Sequence, residues 1–416
     1  MSTGTNLSTA SDYLKHNYDD EVILNTISAE EDKLLSMIPR STEGSGDTMN
    51  FTMLISDNPG TSATFSNAQA TGQAKSSLPK QFAIPFVDVY TIGSVAGTII
   101  RRSRNKKGAW LEALDNEVES ILRGAVFNQG VHMVGDGYGA RGQVSAPGAS
   151  QTLTLVVPSD VFKYQVGMTI VFSTANTGAV TKAGTLVIDG LDEEAGTLHC
   201  TQNVTTGIAT AANNDFIFVQ GDRDPAGGAT RLVEWGFKAW LPPTAPSGGE
   251  NFGGVDRSLN SRMYGRIKDC TSIPLQQAFI QVCQRLISYG GGSKLVCVCS
   301  PNNHANMSIA LQTQARYVDL KTRGEMGFKS LAIAVTGIDV PVMPCRFLND
   351  LEAYVLDLST WKLESCGPAP TLNDYGTGDV LVNMTSDDGI EIRAVCTENY
   401  KCYKPAANAV LKNVGL

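Results

Sequence analysis

The apolar positions divide the chain into stretches of different period. From 108 to 128, Trp110, Leu111, Leu114, Val118, Ile121, Leu122 and Ala125 recur every three or four residues, while Glu112, Asp115, Glu117 and Glu119 take other faces. That pattern predicts a long amphipathic helix lying on a sheet. A second stripe, Leu275, Ala278, Phe279, Val282, Cys283, Leu286 and Ile287, starts after Pro274 and stops at Gly290, Gly291 and Gly292, the punctuation of a helix. Between them, 152–157, 168–174, 184–189, 197–202 and 215–220 are short apolar or Thr-rich runs separated by Gly, Asn and Asp. Five strands at this spacing predict a small β-barrel or sandwich over 146–222. Glycine-rich joints on both sides, GARGQ and GDRDPAGG, mark it as a module inserted into a host domain.

The remaining segments are less regular. Residues 1–40 begin as a polar arm and become a short amphipathic helix, with Val22, Ile23, Ile27, Leu34, Leu35 and Ile38 near helical spacing before Pro39. One face of it needs a partner. Residues 41–82 are rich in Gly, Ser and Thr and hold strands only near 50–55 and 82–87. So long an irregular excursion does not belong inside a compact domain, and the reading is a projecting hairpin. A strand at 87–100 leads into the basic run Arg101, Arg102, Arg104, Lys106 and Lys107. A Pro/Gly connector spans 241–254, and the last third reads as α/β, with a strand at 294–299, a helix at 303–314 and further strands at 333–335, 340–344, 353–358, 380–383 and 390–396.

Composition narrows the function classes. The 416 residues are 42% hydrophobic and 18% charged, with 41 glycines and a net charge of −8. The charged share is below the roughly 25% of ordinary domains, which suits a surface hidden in contacts. An acidic balance argues against broad, tight binding of nucleic acid. The first twenty residues lack the apolar core of a secretory signal, and no apolar run spans a bilayer, so a start in the cytoplasm and no membrane partner are expected. The nine cysteines lack framework spacing and read as reduced, buried thiols.

Candidate chemistry is thin. The glycines of 135–142 follow a helix and enter the β module, the wrong context for a dinucleotide loop, and Gly290–Lys294 lacks the spacing of a phosphate loop. Cys297, Cys299 and His304 lie close in sequence, but no second ligand pair completes a zinc shell and no third group orients a nucleophile. No catalytic, metal or cofactor site is expected. The basic run invites either pairing with Glu112 and Asp115 or contact with a neighbouring subunit, a scaffolding protein or a DNA backbone; Lys75 and Lys80 could pair across subunits in the same way.

This succession resembles the major capsid proteins of tailed bacteriophages, with the Hong Kong 97-type α+β fold. The local wording is similar too: LVCVCSPNNHANMSIAL resembles the family's strand, Ser-Pro and helix step, GIDVPVMPCRFLNDLEAYVLDLSTWKL its pass out of the axial domain, and CTENYKCYKPAANAVLKNV its C-terminus. The resemblance implies an N-terminal arm at 1–40, an extended loop at 41–86, a peripheral domain at 87–145 with the spine helix at 108–128, the inserted β domain at 146–222, a return through 223–273, an axial domain at 274–345 and a final return over 346–416. Trp110, Leu114, Val118, Ile121 and Leu122 would pack the spine helix. It further implies hexamers and pentamers of an icosahedral shell built in a host bacterial cytoplasm, with a separate scaffolding protein, a portal protein, weakly held packaged double-stranded DNA and room for a decoration protein. The rival expectations are an encapsulin-like compartment, and an enzyme or ligand-binding protein using the β module.

Overall fold

The computed structural model describes residues 33–74, 77–98, 107–228, 230–292, 294–314, 331–335, 337–372, 381–384 and 388–415, with the side chains of 107–116 and 311–314 left aside. The fold is mixed α+β: two six-stranded sheets, a closed barrel and a two-stranded hairpin. No described helix is long and apolar enough to cross a membrane.

The first sheet is organised on the strand Gly389–Cys402. Val87–Ala96 runs antiparallel beside its first ten residues, Trp361–Ser365 pairs with its C-terminal part, and Arg40–Ser41 adds a parallel edge. The long helix, Lys107–Val134, lies on this sheet. It packs Val118, Ile121 and Leu122 against Ile392, Ala394 and Leu372. Gly93 permits the approach, since a Cβ there would stand 2.5 Å from Ile121 Cδ1. The helix runs six residues past the expected end. Gly130 lies within it, where the space a Cβ would take is filled by the Phe347 ring.

The second sheet has the order Arg266–Asp269, Ala409–Lys412, Glu352–Asp357, Leu295–Cys299, Ile338–Pro344, Leu331–Val335. It therefore draws on strands well outside 274–345. In Leu295–Cys299 the two-residue alternation puts Val296 and Val298 in the main core and Leu295, Cys297 and Cys299 in a second core. Every residue of this strand is buried, as a strand covered on both faces must be. The helix Leu275–Ser288 covers the second core with Ala278, Phe279, Val282, Cys283 and Leu286.

The module is a closed six-stranded barrel of Ala140–Ser145, Thr152–Leu155, Thr169–Ser173, Leu186–Asp192, Thr197–Cys200 and Phe216–Val219, with its own core. The expected five strands are thus corrected to six. Gly137 and Gly139 turn the backbone at φ +85° and +86°, and the chain then enters the first strand. The glycine loop expected at 135–143 is half barrel. The short helix Lys33–Met37 finds its partner in the protein's own body: Leu34, Leu35 and Ile38 are buried in the main core. Val22, Ile23 and Ile27 lie outside the described residues.

Candidate assembly surface

The hairpin is two structures in one. Thr48–Ser56 and Leu78–Pro85 pair antiparallel, placing Phe51 opposite Phe82. At its base, Met49, Ile55, Phe82 and Ile84 are buried in the main core. Phe51 stacks on Phe82 with ring centroids 5.8 Å apart, and both meet Trp240, at 6.1 and 6.0 Å. Hydrogen bonds hold the base down: Ala83 N–H donates to Gly253 O at 2.9 Å, and the Arg262 guanidinium donates to Ile55 O at 2.7 Å.

Past Ile55 this support ends. Among the described residues of 56–81 no side chain is buried. The tip carries the helix Phe65–Ala74, with no buried residue. An isolated helix of ten residues is below the length that is even marginally stable in water. It is held instead by its own loop, Gly60 lying so close that a Cβ there would be 2.6 Å from Gly72 Cα. Large apolar groups face solvent on the distal part, Phe65 81% and Leu78 46% exposed, and Leu54 at its edge is 58% exposed.

A second apolar surface lies on the first sheet. Gly93 faces the long helix and Thr91 meets it near Gly124, so alternation sends Tyr90 and Ile92 to the opposite face. They are 55% and 56% exposed. Val395 and Arg393 stand directly across the ladder from them.

Lys80 stands exposed on the hairpin, opposite Met53. Lys75, Arg101, Arg102, Arg104 and Lys106 lie outside the described residues. Lys107 opens the long helix, and Trp110 and Leu114 follow in it, but their side chains lie outside the described part. Val118, Ile121 and Leu122 are placed against the sheet, as above.

Sequence reasoning missed a buried polar junction where the helix, barrel and first sheet meet. His132 Nδ1 lies 2.5 Å from Glu234 Oε2, Arg141 donates to Asp222 at 2.9 Å and to Asn128 at 3.0 Å, and Gln129 donates to Glu398. Burial, reinforced by the nearby Glu234 charge, raises the Glu398 carboxyl to about 7. Its charged residues are scattered from 132 to 398, so no local spacing could announce it. The arrangement fixes three elements together.

The thiols considered for chemistry sit elsewhere. Cys297 and Cys299 are fully buried, and burial pushes the Cys299 thiol up to about 12, the wrong direction for a nucleophile. Among the described residues no three His, Cys, Asp or Glu side chains gather in a metal-holding group.

No protein-family model matches the sequence, and no curated protein matches it. Solved structures do. The capsid chain of cyanophage A-1(L) aligns over 99% of this chain and 99% of its own at 13% identity, with a TM-score of 0.57. The capsid of a native GTA particle aligns over 100% of both chains at 8% identity and TM-score 0.47. The holo-SrpI encapsulin of Synechococcus elongatus aligns over 97% of this chain and 94% of its own, at 7% and 0.44. The first likeness is the one that carries weight. End to end, and with the barrel in place, this chain has the Hong Kong 97-type phage capsid fold.

Proposed function

We propose that this chain is the major capsid protein of a tailed double-stranded DNA bacteriophage, a structural subunit that assembles with copies of itself into the hexamers and pentamers of an icosahedral shell around the genome. The observation that carries the reading, beside the fold, is the hairpin tip. It is a segment with no buried side chain among its described residues and with exposed Phe65 and Leu78, standing on a base locked into the body. Such a tip gains its burial from another surface, and the apolar sheet face at Tyr90 and Ile92 on a second copy offers one. In this reading 41–86 is the extended loop, the long helix is the spine, and the barrel is an insertion into the peripheral domain.

The other partners follow from the role. A scaffolding protein guides the copies, a portal occupies one vertex, a decoration protein could sit outside, and the genome is held weakly because a net charge of −8 does not grip phosphate. Lys75, Lys80, Arg101, Arg102, Arg104, Lys106 and Lys107 are the cations that would meet a neighbour's carboxylates, the scaffold or the DNA backbone. The virion shell is then its place, with assembly in the host cytoplasm.

The test is electron microscopy of the purified chain, expressed with and without its scaffolding partner, beside a variant in which 57–77 is replaced by a short glycine turn. The full chain should give closed shells and the variant a folded subunit without shells. Shells from the shortened variant would refute the role given to the tip. Shells loaded with an enzyme in place of DNA when isolated from their native source would favour a cargo compartment.

A further inference from the structure

The second core contains two cysteine side chains in contact. Cys283 stands on the inner face of the helix Leu275–Ser288, and Cys297 on the strand Leu295–Cys299 beneath it; both are fully buried. Their sulfurs are 3.8 Å apart. Gly290 and Gly292, both at positive φ, end the helix shortly before the strand begins. A disulfide needs the sulfurs at ~2.05 Å, a closure of under 2 Å from the contact seen here.

We propose that Cys283 and Cys297 are a latent disulfide, reduced while the chain is in a reducing cytoplasm and closed by exchange with a small-molecule disulfide once it is outside. The site pins the helix to the sheet. The change of surroundings rests on the shell reading, whereas the closure itself concerns one subunit and is tested on the purified chain.

The steps balance as ordinary thiol–disulfide exchange. The Cys283 sulfur, as thiolate, attacks one sulfur of the small disulfide, breaking its S–S bond and releasing the first small thiolate, which takes up the proton Cys283 lost. Cys297 then loses its proton and attacks the Cys283 sulfur, expelling the second small thiolate, which takes that proton. Two protein thiols are oxidised by two electrons, and one small disulfide is reduced to two thiols. The surroundings set the order of attack: a hydrogen bond from the Cys297 thiol lowers Cys283, whereas burial raises Cys297. Because both sulfurs are covered, exchange requires the helix to lift from the sheet, so closure is slow and the closed bond is shielded from reductant.

Treating the purified full-length chain with oxidised glutathione, blocking all remaining thiols with N-ethylmaleimide in denaturant, and mapping peptides by mass spectrometry tests this. The expected result is a peptide pair joined through Cys283 and Cys297, with glutathione on the exposed Cys366, the six other buried cysteines alkylated and the link reversed by dithiothreitol. In Cys297→Ser the expected product is a glutathione adduct retained on Cys283. The wild-type map decides even where that variant does not fold. Cys283 and Cys297 both alkylated after prolonged oxidation, or a link from Cys283 to Cys299, would overturn the proposal.

Discussion

Glu398 is the residue whose surroundings most clearly oppose its charge. Its carboxyl, raised from the ordinary 4.5 to about 7, is held by the Gln129 amide, with Glu234 adding repulsion and Arg40 a weaker attraction. A folded-state value above the unfolded one means the folded chain binds the extra proton. That contribution is fully present below about 4.5 and is lost as pH rises through about 7. The loss amounts to roughly 3 kcal/mol. Glu398→Gln keeps an acceptor for Gln129 and removes the charge. It should melt higher than wild type at pH 8, with the two melting points converging at pH 5; equal melting points at pH 8 would show that the buried carboxylate is better solvated than its setting implies. Gly130 makes a different point at the same scale. It stands inside the long helix where Phe347 occupies the space a side chain would need, and a contact 217 residues away along the chain is invisible to local pattern.

Elements with their own apolar period were legible, and elements defined by what they pack against were not. The long helix, the helix Leu275–Ser288 and five barrel strands follow from spacing that repeats within each segment. The tip helix Phe65–Ala74 did not, because a helix with no buried face has no stripe to read. Nor did Ala409–Lys412, four residues that become an interior strand only between Arg266–Asp269 and Glu352–Asp357. The first barrel strand was hidden under its glycines. Two predictions belong here. Phe172 is fully buried in the separate core of the barrel, so Phe172→Ala should cost about 3–5 kcal/mol. Hydrogen exchange should rise within 140–219 and stay unchanged in both sheets; a rise across the whole chain would mean that the barrel is not an independent unit. Gly60→Val forces the tip loop off the Gly72 backbone. Its melting point should match wild type within the error of a surface change, about 0.5 kcal/mol, while particle yield falls. Normal particle yield would remove the tip from assembly.

Across the whole molecule, the division of the hairpin into a locked base and an unsupported tip is the central feature. A closed shell requires contacts between unlike surfaces of identical copies, repeated around rings of two sizes. An arm with a rigid root and an adaptable end meets that demand, because it adds buried area without fixing the angle between neighbouring bodies. The sequence pointed to a projecting hairpin but placed the whole of it outside the body; the aromatic packing of Phe51 and Phe82 on Trp240 returns its base to the core. If Lys80 meets a neighbour's carboxylates as proposed, reversing it to Glu should weaken assembly more at low salt than at high salt, read by light scattering. The most direct measurement places a photo-crosslinking benzoylphenylalanine at Phe65, whose ring is already in solvent. On irradiation of assembled protein the account predicts adducts joining two copies, with the crosslink mapping to the sheet face around Tyr90 and Ile92. Crosslinks found solely within one chain would contradict it.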